Sequence, residues 1–201
     1  MIDEEADRLD RFVDGLTKLA RIQSGEMELH LQVSSVEEII TEALKRAEPR
    51  TRTHPVEVWI ETELPSIKVD DHAISEAIYA LVDNAAKYSP AGSTIRIAAA
   101  PEGHGNVVIS VADQGPGIPS DVRDRVFERF FRAMRDGDAA GPKSQGSGMG
   151  LAIARGIVEA HGGRIWIEDG EDKKGAKFVI ELPIGEDNGT LARPASSGSN
   201  D

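Results

Sequence analysis

The chain has 201 residues, 39% hydrophobic and 29% charged, which is the composition of a globular protein with length for one core and an appendage. Its formal net charge of −12 excludes a nucleic-acid surface, because binding many phosphates requires a basic face. The chain has no cysteine, which excludes disulfides and thiolate metal sites. It also lacks a run of about 20 apolar residues, so no membrane span is predicted, and we expect a cytoplasmic location.

The N-terminal segment is predicted to be an amphipathic helix, because apolar residues recur at three- and four-residue spacing over residues 3–24. An isolated helix of this length is marginal in water. Its apolar stripe should therefore pack on another helix, on another chain or on the core of its own domain. At the other end, the polar composition of residues 186–201 predicts a disordered tail.

Between these ends the chain alternates between strand and helix patterns. The predicted strands are residues 27–33, 56–64, 94–100, 106–113, 164–169 and 176–183. The predicted helices are residues 36–49, 70–88, 120–132 and 148–161. Several strands look hairpin-connected, so we predict an α+β fold: a two-layer α/β sandwich whose mixed, mostly antiparallel sheet carries helices on one face.

Asn84 is an unusual residue for the longest predicted helix, where it lies at the border of the apolar arc. It could cap a neighbouring loop. It could also ligate a hard cation through its carbonyl oxygen, with Lys87 one turn later meeting phosphate oxygens. The residues alone leave both interpretations open.

Asp113 continues the core-facing side of the strand 106–113, where a carboxylate is costly unless hydrogen bonds reach it. Gly115 and Gly117 then turn the chain away, which leaves room for a flat ligand. The alternative is a tight turn in which the aspartate is satisfied by its own backbone.

The stretch "GSGMGLAIARGIVEAHGG" begins a helix with three closely spaced glycines, which suggests a phosphate site at a helix N-terminus. It is neither a P-loop nor a dinucleotide fingerprint, because the Lys after the second glycine and the preceding strand are both missing. Residues 133–145, polar and without periodicity, are expected to form a lid or binding loop. Basic residues before the glycines form either a local anion site or a solvated mixed-charge face. These are Arg123, Arg125, Arg129, Arg132, Arg135 and Lys143.

Four motifs in order resemble the N, G1, F and G2 boxes of the ATP-binding catalytic domain of sensor histidine kinases, in the superfamily of DNA gyrase, Hsp90 and MutL. They are "ALVDNAAKYSP", "DQGPGIP", "VFERFFRA" and the glycine stretch above. The likeness covers about residues 30–184, and "RLDRFVDGLTKLARIQSG" resembles the second helix of the kinase dimerisation domain. It implies a Bergerat-type fold with an incomplete dimerisation domain at 1–25, a catalytic domain at 26–185 and a tail at 186–201. Shorter phrases resemble the potassium-sensor branch.

The resemblance implies ATP and Mg²⁺ as ligands and assigns a role to each matching residue. Asp113 should accept a hydrogen bond from the adenine amino group, Asn84 should hold Mg²⁺, and Arg132 should approach the γ-phosphate, with Arg129 as the alternative. Asn84, Lys87 and Arg132 form the implied catalytic set. The further implied nucleotide contacts are Lys87, Tyr88, Gly115, Gly117, Ile118, Gly146, Ser147, Gly148, Met149, Gly150 and Leu151, the last packing behind the glycines.

The implied activity is transfer of the γ-phosphoryl group of ATP to a histidine on a dimerisation helix absent from this chain. None of the five histidines has the acceptor context, so no self-phosphorylation is expected. They are His30, His54, His72, His104 and His161. Hydrolysing relatives carry a glutamate where this chain has Ala80, so no base for hydrolysis is evident.

The partners implied by the resemblance are ATP or ADP, the acceptor helix, a response regulator and a second copy in the intact kinase. Three other functions remain as alternatives. They are a nucleotide-gated interaction module without catalysis, an anti-sigma-type serine kinase and an ATPase-driven clamp.

Overall fold

A computed structural model of the chain describes residues 2–103, 105–131, 148–170 and 174–185, with side chains omitted for residues 2–11 and 23. The helices in these ranges are α1 (Ile2–Gln23), α2 (Val36–Thr51), α3 (Asp71–Tyr88) and α4 (Gly150–Ala160). The strands are β1 (Gln32–Ser34), β2 (Val56–Ile60), β3 (Ile67–Val69), β4 (Ile95–Glu102), β5 (Asn106–Ala112), β6 (Arg164–Asp169) and β7 (Ala176–Pro183). No helix within these ranges is long and apolar enough to span a membrane.

The main sheet has the strand order β2-β4-β5-β7-β6, and β1 pairs with β3 in a separate two-stranded sheet. Strands β2 and β4 run parallel, whereas the other neighbours in the main sheet are antiparallel. Helices and a mixed, mostly antiparallel sheet confirm the predicted α+β class.

The core lies between one face of the main sheet and the helices α2, α3 and α4. Alternate residues of β4, β5 and β7 point into it, as the two-residue period of a strand requires. Ile78 and Leu81 of α3 belong to the same core cluster as Ile97, Ile109 and Ile180 of the sheet, and all five are fully buried. This packing fixes α3 and the ends of the central strands, which carry the predicted site.

Helix α1 packs on α4 through positions where glycine leaves space. A Cβ on Gly15 would lie 2.7 Å from Cε of Met149, and a Cβ on Gly156 would collide with Ile22. The Lys18 ammonium also pairs with the Glu76 carboxylate of α3. One face of α1 therefore joins the domain core, while a second apolar face stays exposed. That face carries Phe12, Val13 and Leu16.

Two predicted elements are wrong. Of the predicted strand 27–33 only Gln32 and Val33 are in β1, because its partner β3, which was not predicted, is itself only three residues long. The predicted helix 120–132 is replaced by two 3₁₀ turns, Ser120–Val122 and Arg125–Phe127. Beyond them Phe130 adopts a positive φ of 60°, which a helix does not allow. Helix α2 also runs two residues past Pro49, because a proline in the last turn removes little of the helical hydrogen bonding.

Candidate functional site

Asp113 directly follows β5 and is a buried carboxylate, with 6% of the residue exposed. Its Oδ1 accepts hydrogen bonds from the N–H of Gly115 at 2.7 Å and of Ala176 at 3.2 Å. Its Oδ2 accepts none from the described part of the chain. Burial raises the pKa of Asp113 above its ordinary value, although the two backbone hydrogen bonds act in the opposite direction. The tight-turn interpretation therefore accounts for one carboxylate oxygen and leaves the other available.

Glycines surround Asp113 at positions where any larger residue would collide. A Cβ on Gly115 would lie 2.9 Å from both Asp113 Oδ1 and the carbonyl oxygen of Tyr88. A Cβ on Gly117 would lie 2.9 Å from the carbonyl oxygen of Gly175, and one on Gly175 would collide with the Asp113 backbone. The G1 turn thus fits closely between the end of α3 and the start of β7. The sequence prediction did not include Gly175 as a site residue. The signal that could have found it is the pair of glycines at the two ends of the β6–β7 turn, Gly170 and Gly175.

One face of α3 connects the two ends of the predicted site. The Cβ of Ala80 lies 3.8 Å from a Cβ built on Gly150, at the start of α4. Tyr88, two turns later, touches the G1 turn, and these two residues are about 12 Å apart along the helix axis. Asn84 lies between them, partly exposed, and its amide has no hydrogen-bond partner among the described residues. The loop-capping interpretation of Asn84 is therefore not supported. The Lys87 ammonium lies 4.7 Å from the centroid of the Tyr88 ring.

The N-terminus of α4 offers backbone N–H groups towards this face of α3. The first hydrogen bond of the helix runs from the Ile153 N–H to the Met149 carbonyl oxygen. The N–H groups of residues 150–152 come before this bond and therefore have no partner within the helix. Gly148 has a φ of 67°, and its carbonyl oxygen accepts a 3.0 Å hydrogen bond from Phe130. The Met149 side chain points away towards α1, and Leu151 packs on the core.

The comparison with family models identifies this arrangement. The model described as "Histidine kinase-, DNA gyrase B-, and HSP90-like ATPase" matches residues 69–186, more than half of the chain. The chain belongs to this family. Its ATPase domain is of the sensor histidine kinase type, as the relatives below show.

Among curated proteins, the chain is 34% identical over 182 residues to sensor protein KdpD of Clostridium acetobutylicum, covering 90% of the chain and 20% of KdpD. It is also 34% identical to the adaptive-response sensory kinase SasA of a Nostoc species, covering 90% of the chain and 44% of SasA. The chain therefore spans less than half the length of these relatives.

Two solved structures support the same relationship. The mycobacterial sensor histidine kinase MprB is 31% identical with a TM-score of 0.66, covering 76% of the chain and 97% of MprB. Full-length ShkA, solved in complex with AMPPNP, is 29% identical with a TM-score of 0.77, covering 90% of the chain and 37% of ShkA.

The described arginines of the F-box region do not converge on one anion site. Phe127 is buried and packs edge-on against Phe178, with ring centroids 6.4 Å apart. Arg123 turns away to β6, and the Arg125 guanidinium lies 4.6 Å from the ring centroid of Phe131. Arg129 is exposed. The remaining predicted phosphate contacts lie outside the described residues: Arg132, Gly146 and Ser147.

The four described histidines occupy structural or surface positions. The ring of His54 donates from Nδ1 to the Ser93 carbonyl oxygen at 3.1 Å. His161 donates from Nδ1 to the Ile157 carbonyl oxygen and accepts at Nε2 from the Asp70 N–H, so these bonds require a neutral ring. His30 and His72 are exposed, and His104 lies outside the described residues.

A cavity of about 610 Å³ lies elsewhere, at the N-termini of α2 and α3. Four carboxylates line it, and it contains none of the predicted nucleotide residues. They are Glu37, Glu38, Glu42 and Asp71. An acidic lining repels a triphosphate, so this cavity is not the nucleotide site. Within the described ranges no group of three or more His, Asp or Glu residues could hold a metal ion.

Proposed function

We propose that this chain binds Mg-ATP and transfers its γ-phosphoryl group to the imidazole of a histidine carried by a helix from outside the chain. The observation that carries the proposal is the half-satisfied carboxylate of Asp113. Its Oδ1 is held by two backbone N–H groups, while Oδ2 has no partner among the described residues. Oδ2 is not among the fully buried unpartnered atoms of the described residues, so a donor group of a ligand can reach it in place of water.

The base end of the nucleotide is assigned to the G1 turn. The Oδ2 atom of Asp113 would accept a hydrogen bond from the adenine amino group. Gly115, Gly117 and Ile118 would line the plane of the ring, because their backbone follows Asp113 directly. Tyr88, whose carbonyl touches the same turn, would flank the ribose.

The phosphate end is assigned to the start of α4 and the facing side of α3. The N–H groups of residues 150–152 and the positive end of the helix dipole attract phosphate oxygens. The amide of Asn84, which has no hydrogen-bond partner among the described residues, fits Mg²⁺. This ion often takes one or two protein ligands and completes its shell with phosphate oxygens and water. Mg²⁺ bound there would neutralise charge on the phosphates. Lys87 would leave the Tyr88 ring to meet the same oxygens.

The remaining members of the phosphate end come from the family resemblance. Arg132 would contact the γ-phosphate, with Arg129 as the alternative. Gly146, Ser147, Gly148 and Met149 would contact the triphosphate through their backbone. For Met149 only the backbone qualifies, because its side chain lies against Gly15.

Phosphoryl transfer requires mainly positioning and charge stabilisation. A neutral imidazole nitrogen attacks the γ-phosphorus, the bond from that phosphorus to the bridging oxygen breaks, ADP leaves, and the imidazole proton passes to solvent. Ala80, one turn before Asn84, supplies no carboxylate to activate water. Because the described histidines serve other contacts or lie on the surface, we propose that the chain does not phosphorylate itself.

Helix α1 is proposed as the second helix of the dimerisation domain, residues 1–25, joined to a catalytic domain at 26–185 and a tail at 186–201. Its exposed apolar face, where Val13 is 57% exposed, would pack in a homodimer of the intact kinase. A response regulator as partner, a cytoplasmic location and membership of the potassium-sensor branch remain predictions from the sequence.

The test uses the 201-residue chain, γ-labelled ATP with Mg²⁺, and a separately prepared helical hairpin that carries a sensor-kinase acceptor histidine. The expected result is acid-labile, base-stable label on the hairpin and none on the chain. The control is Asp113→Asn, which should lower the label several-fold or more when ATP is held near the wild-type dissociation constant.

Each alternative gives a different result. Acid-stable label on a hydroxyl side chain would indicate a serine kinase. Steady phosphate release without acceptor would indicate an ATPase. Nucleotide binding without any transfer would indicate a gated interaction module, and acid-labile label on the chain itself would contradict the absence of self-phosphorylation.

A further inference from the structure

Arg123 joins two separate segments of the domain through three groups. Its Nε donates to the Ile118 carbonyl oxygen at 3.1 Å, in the loop that follows Gly117. Its Nη1 donates to the Ile167 carbonyl oxygen of β6 at 3.4 Å, and its Nη2 pairs with the Asp169 carboxylate. The Arg123 side chain is 23% exposed, so water reaches these bonds only in part.

Two of these three contacts are hydrogen bonds to backbone carbonyl oxygens, those of Ile118 and Ile167. Among the described strands β6 lies at the edge of the main sheet and has β7 as its single neighbour, so carbonyl groups on its open side have no ladder partner there. The Ile118 carbonyl lies in a loop. A guanidinium presents several N–H groups in a rigid plane, which is why one side chain can reach two carbonyls and a carboxylate.

The two segments that Arg123 joins are the ones that close around Asp113. Gly117, next to Ile118, packs against the Gly175 carbonyl, and Gly175 packs against the Asp113 backbone. The Ala176 N–H, which follows Gly175, donates to Asp113 Oδ1. Movement of the G1 turn away from β6 and β7 would therefore change both the position of Asp113 and the width of the gap beside it.

We propose that Arg123 is a positioning residue for the nucleotide base: by tying the G1 turn to β6, it holds Asp113 at the distance that selects adenine over guanine. The proposal rests on the assignment of the base to Asp113 made above. A correctly held acceptor meets the adenine amino group and repels the oxygen that guanine carries at the same ring position. A loosened turn relaxes both effects, so discrimination falls together with affinity.

The test measures Mg-ADP and Mg-GDP affinities by isothermal titration calorimetry on the 201-residue chain. Arg123→Met should weaken Mg-ADP binding about fivefold and lower the ratio of ADP to GDP affinity by a similar factor, because two carbonyls lose a donor. Arg123→Lys should also lower the ratio, since one ammonium cannot reach all three groups. Asp169→Asn, which keeps an acceptor for Arg123, should stay close to wild type.

The matched control is Arg164→Met, at the opposite end of β6. Arg164 pairs with the buried Glu181, so its loss lowers stability without touching the G1 turn. It should reduce the melting temperature and leave the ADP to GDP ratio unchanged. If Arg123→Met likewise lowers the melting temperature and leaves the ratio of ADP to GDP affinity unchanged, the role of Arg123 is purely structural and the proposal is overturned.

Three further outcomes are decisive. If Arg123→Met does not fold, an unchanged ratio in Arg123→Lys overturns the proposal and a lowered ratio supports it. A folded wild type that binds neither nucleotide overturns the proposed function and this inference together. A wild type that prefers ADP, with variants that keep the preference, overturns the inference alone.

Discussion

Replacing Asp113 with asparagine separates the two oxygens of its carboxylate. An asparagine Oδ1 can keep the hydrogen bonds from the Gly115 and Ala176 N–H groups, which hold the turn in place. The position of Oδ2 then carries an NH₂ group, which donates towards the adenine amino group instead of accepting from it. We therefore expect Asp113→Asn to fold like the wild type and to bind nucleotide about 10- to 150-fold more weakly.

The size of the effect follows from binding linkage. Mg-ADP at 100 times its dissociation constant stabilises the wild type by about 2.7 kcal/mol, which raises the melting temperature by roughly 5 to 11 °C for a chain of this size. Loss of a hydrogen bond to a charged acceptor costs about 1.5 to 3 kcal/mol. At the same ADP concentration the variant should keep only about 0.3 to 1.4 kcal/mol of the stabilisation.

The unliganded variant should not be less stable than wild type at pH 7. Burial raises the pKa of Asp113 in the folded state, so its ionisation costs stability as the pH rises above the unfolded-state pKa, and the full cost applies above the folded-state pKa. Asparagine removes this cost, and the difference should shrink as the pH falls towards about 4. Differential scanning fluorimetry with and without Mg-ADP, at pH 7 and pH 4.5, measures both effects. A variant with the full wild-type ADP response would refute the assignment of the base to Asp113.

The other predictions concern stability and the site wall. Asp70→Ala should cost about 1 to 2 kcal/mol in urea unfolding at pH 7, because the helix cap is lost. Burial raises the Asp70 pKa, but backbone hydrogen bonds outweigh it and lower the pKa, so this gap should narrow only below about pH 4. Ala80→Glu should leave Mg-ADP affinity within about twofold in calorimetry, since Ala80 is only partly buried and the family resemblance implies that hydrolysing members bind nucleotide with a glutamate there. Gly156→Val should collide with Ile22, cost about 1 to 3 kcal/mol and speed tryptic cleavage of α1, whereas Gly105→Ala, in open space, should do neither.

Elements with strong periodicity and clear boundaries were predictable from the sequence. Strands β6 and β7 have the predicted bounds, because alternation is regular and glycines precede both strands. Helix α3 starts at Asp71, one residue after the predicted start, because Asp70 is its N-cap and accepts at its side chain from the Ala73 N–H. Local chemistry decides such elements, so a local pattern reveals them.

Elements decided by distant contacts were not predictable. The segment 120–131 has the residues of a helix, yet Phe130 turns to bond Gly148, and Arg123 turns to meet β6. The sequence placed Arg123 among the candidate anion ligands, since position alone cannot show which way a guanidinium points. Asp113 and its adjoining glycines were predictable as a set, but the split between its two oxygens depends on Ala176, 63 residues away.

The bond between Phe130 and Gly148 gives the domain an insertion point whose two ends are fixed by the backbone. The Phe130 N–H and the Gly148 carbonyl oxygen lie 3.0 Å apart, so the two ends of the segment between these residues are held together. Doubling the number of residues between fixed anchors costs only about 0.6 kcal/mol of closure entropy. A reporter peptide spliced between them should therefore leave the rest of the fold intact, and the same tolerance would let related proteins differ in length there.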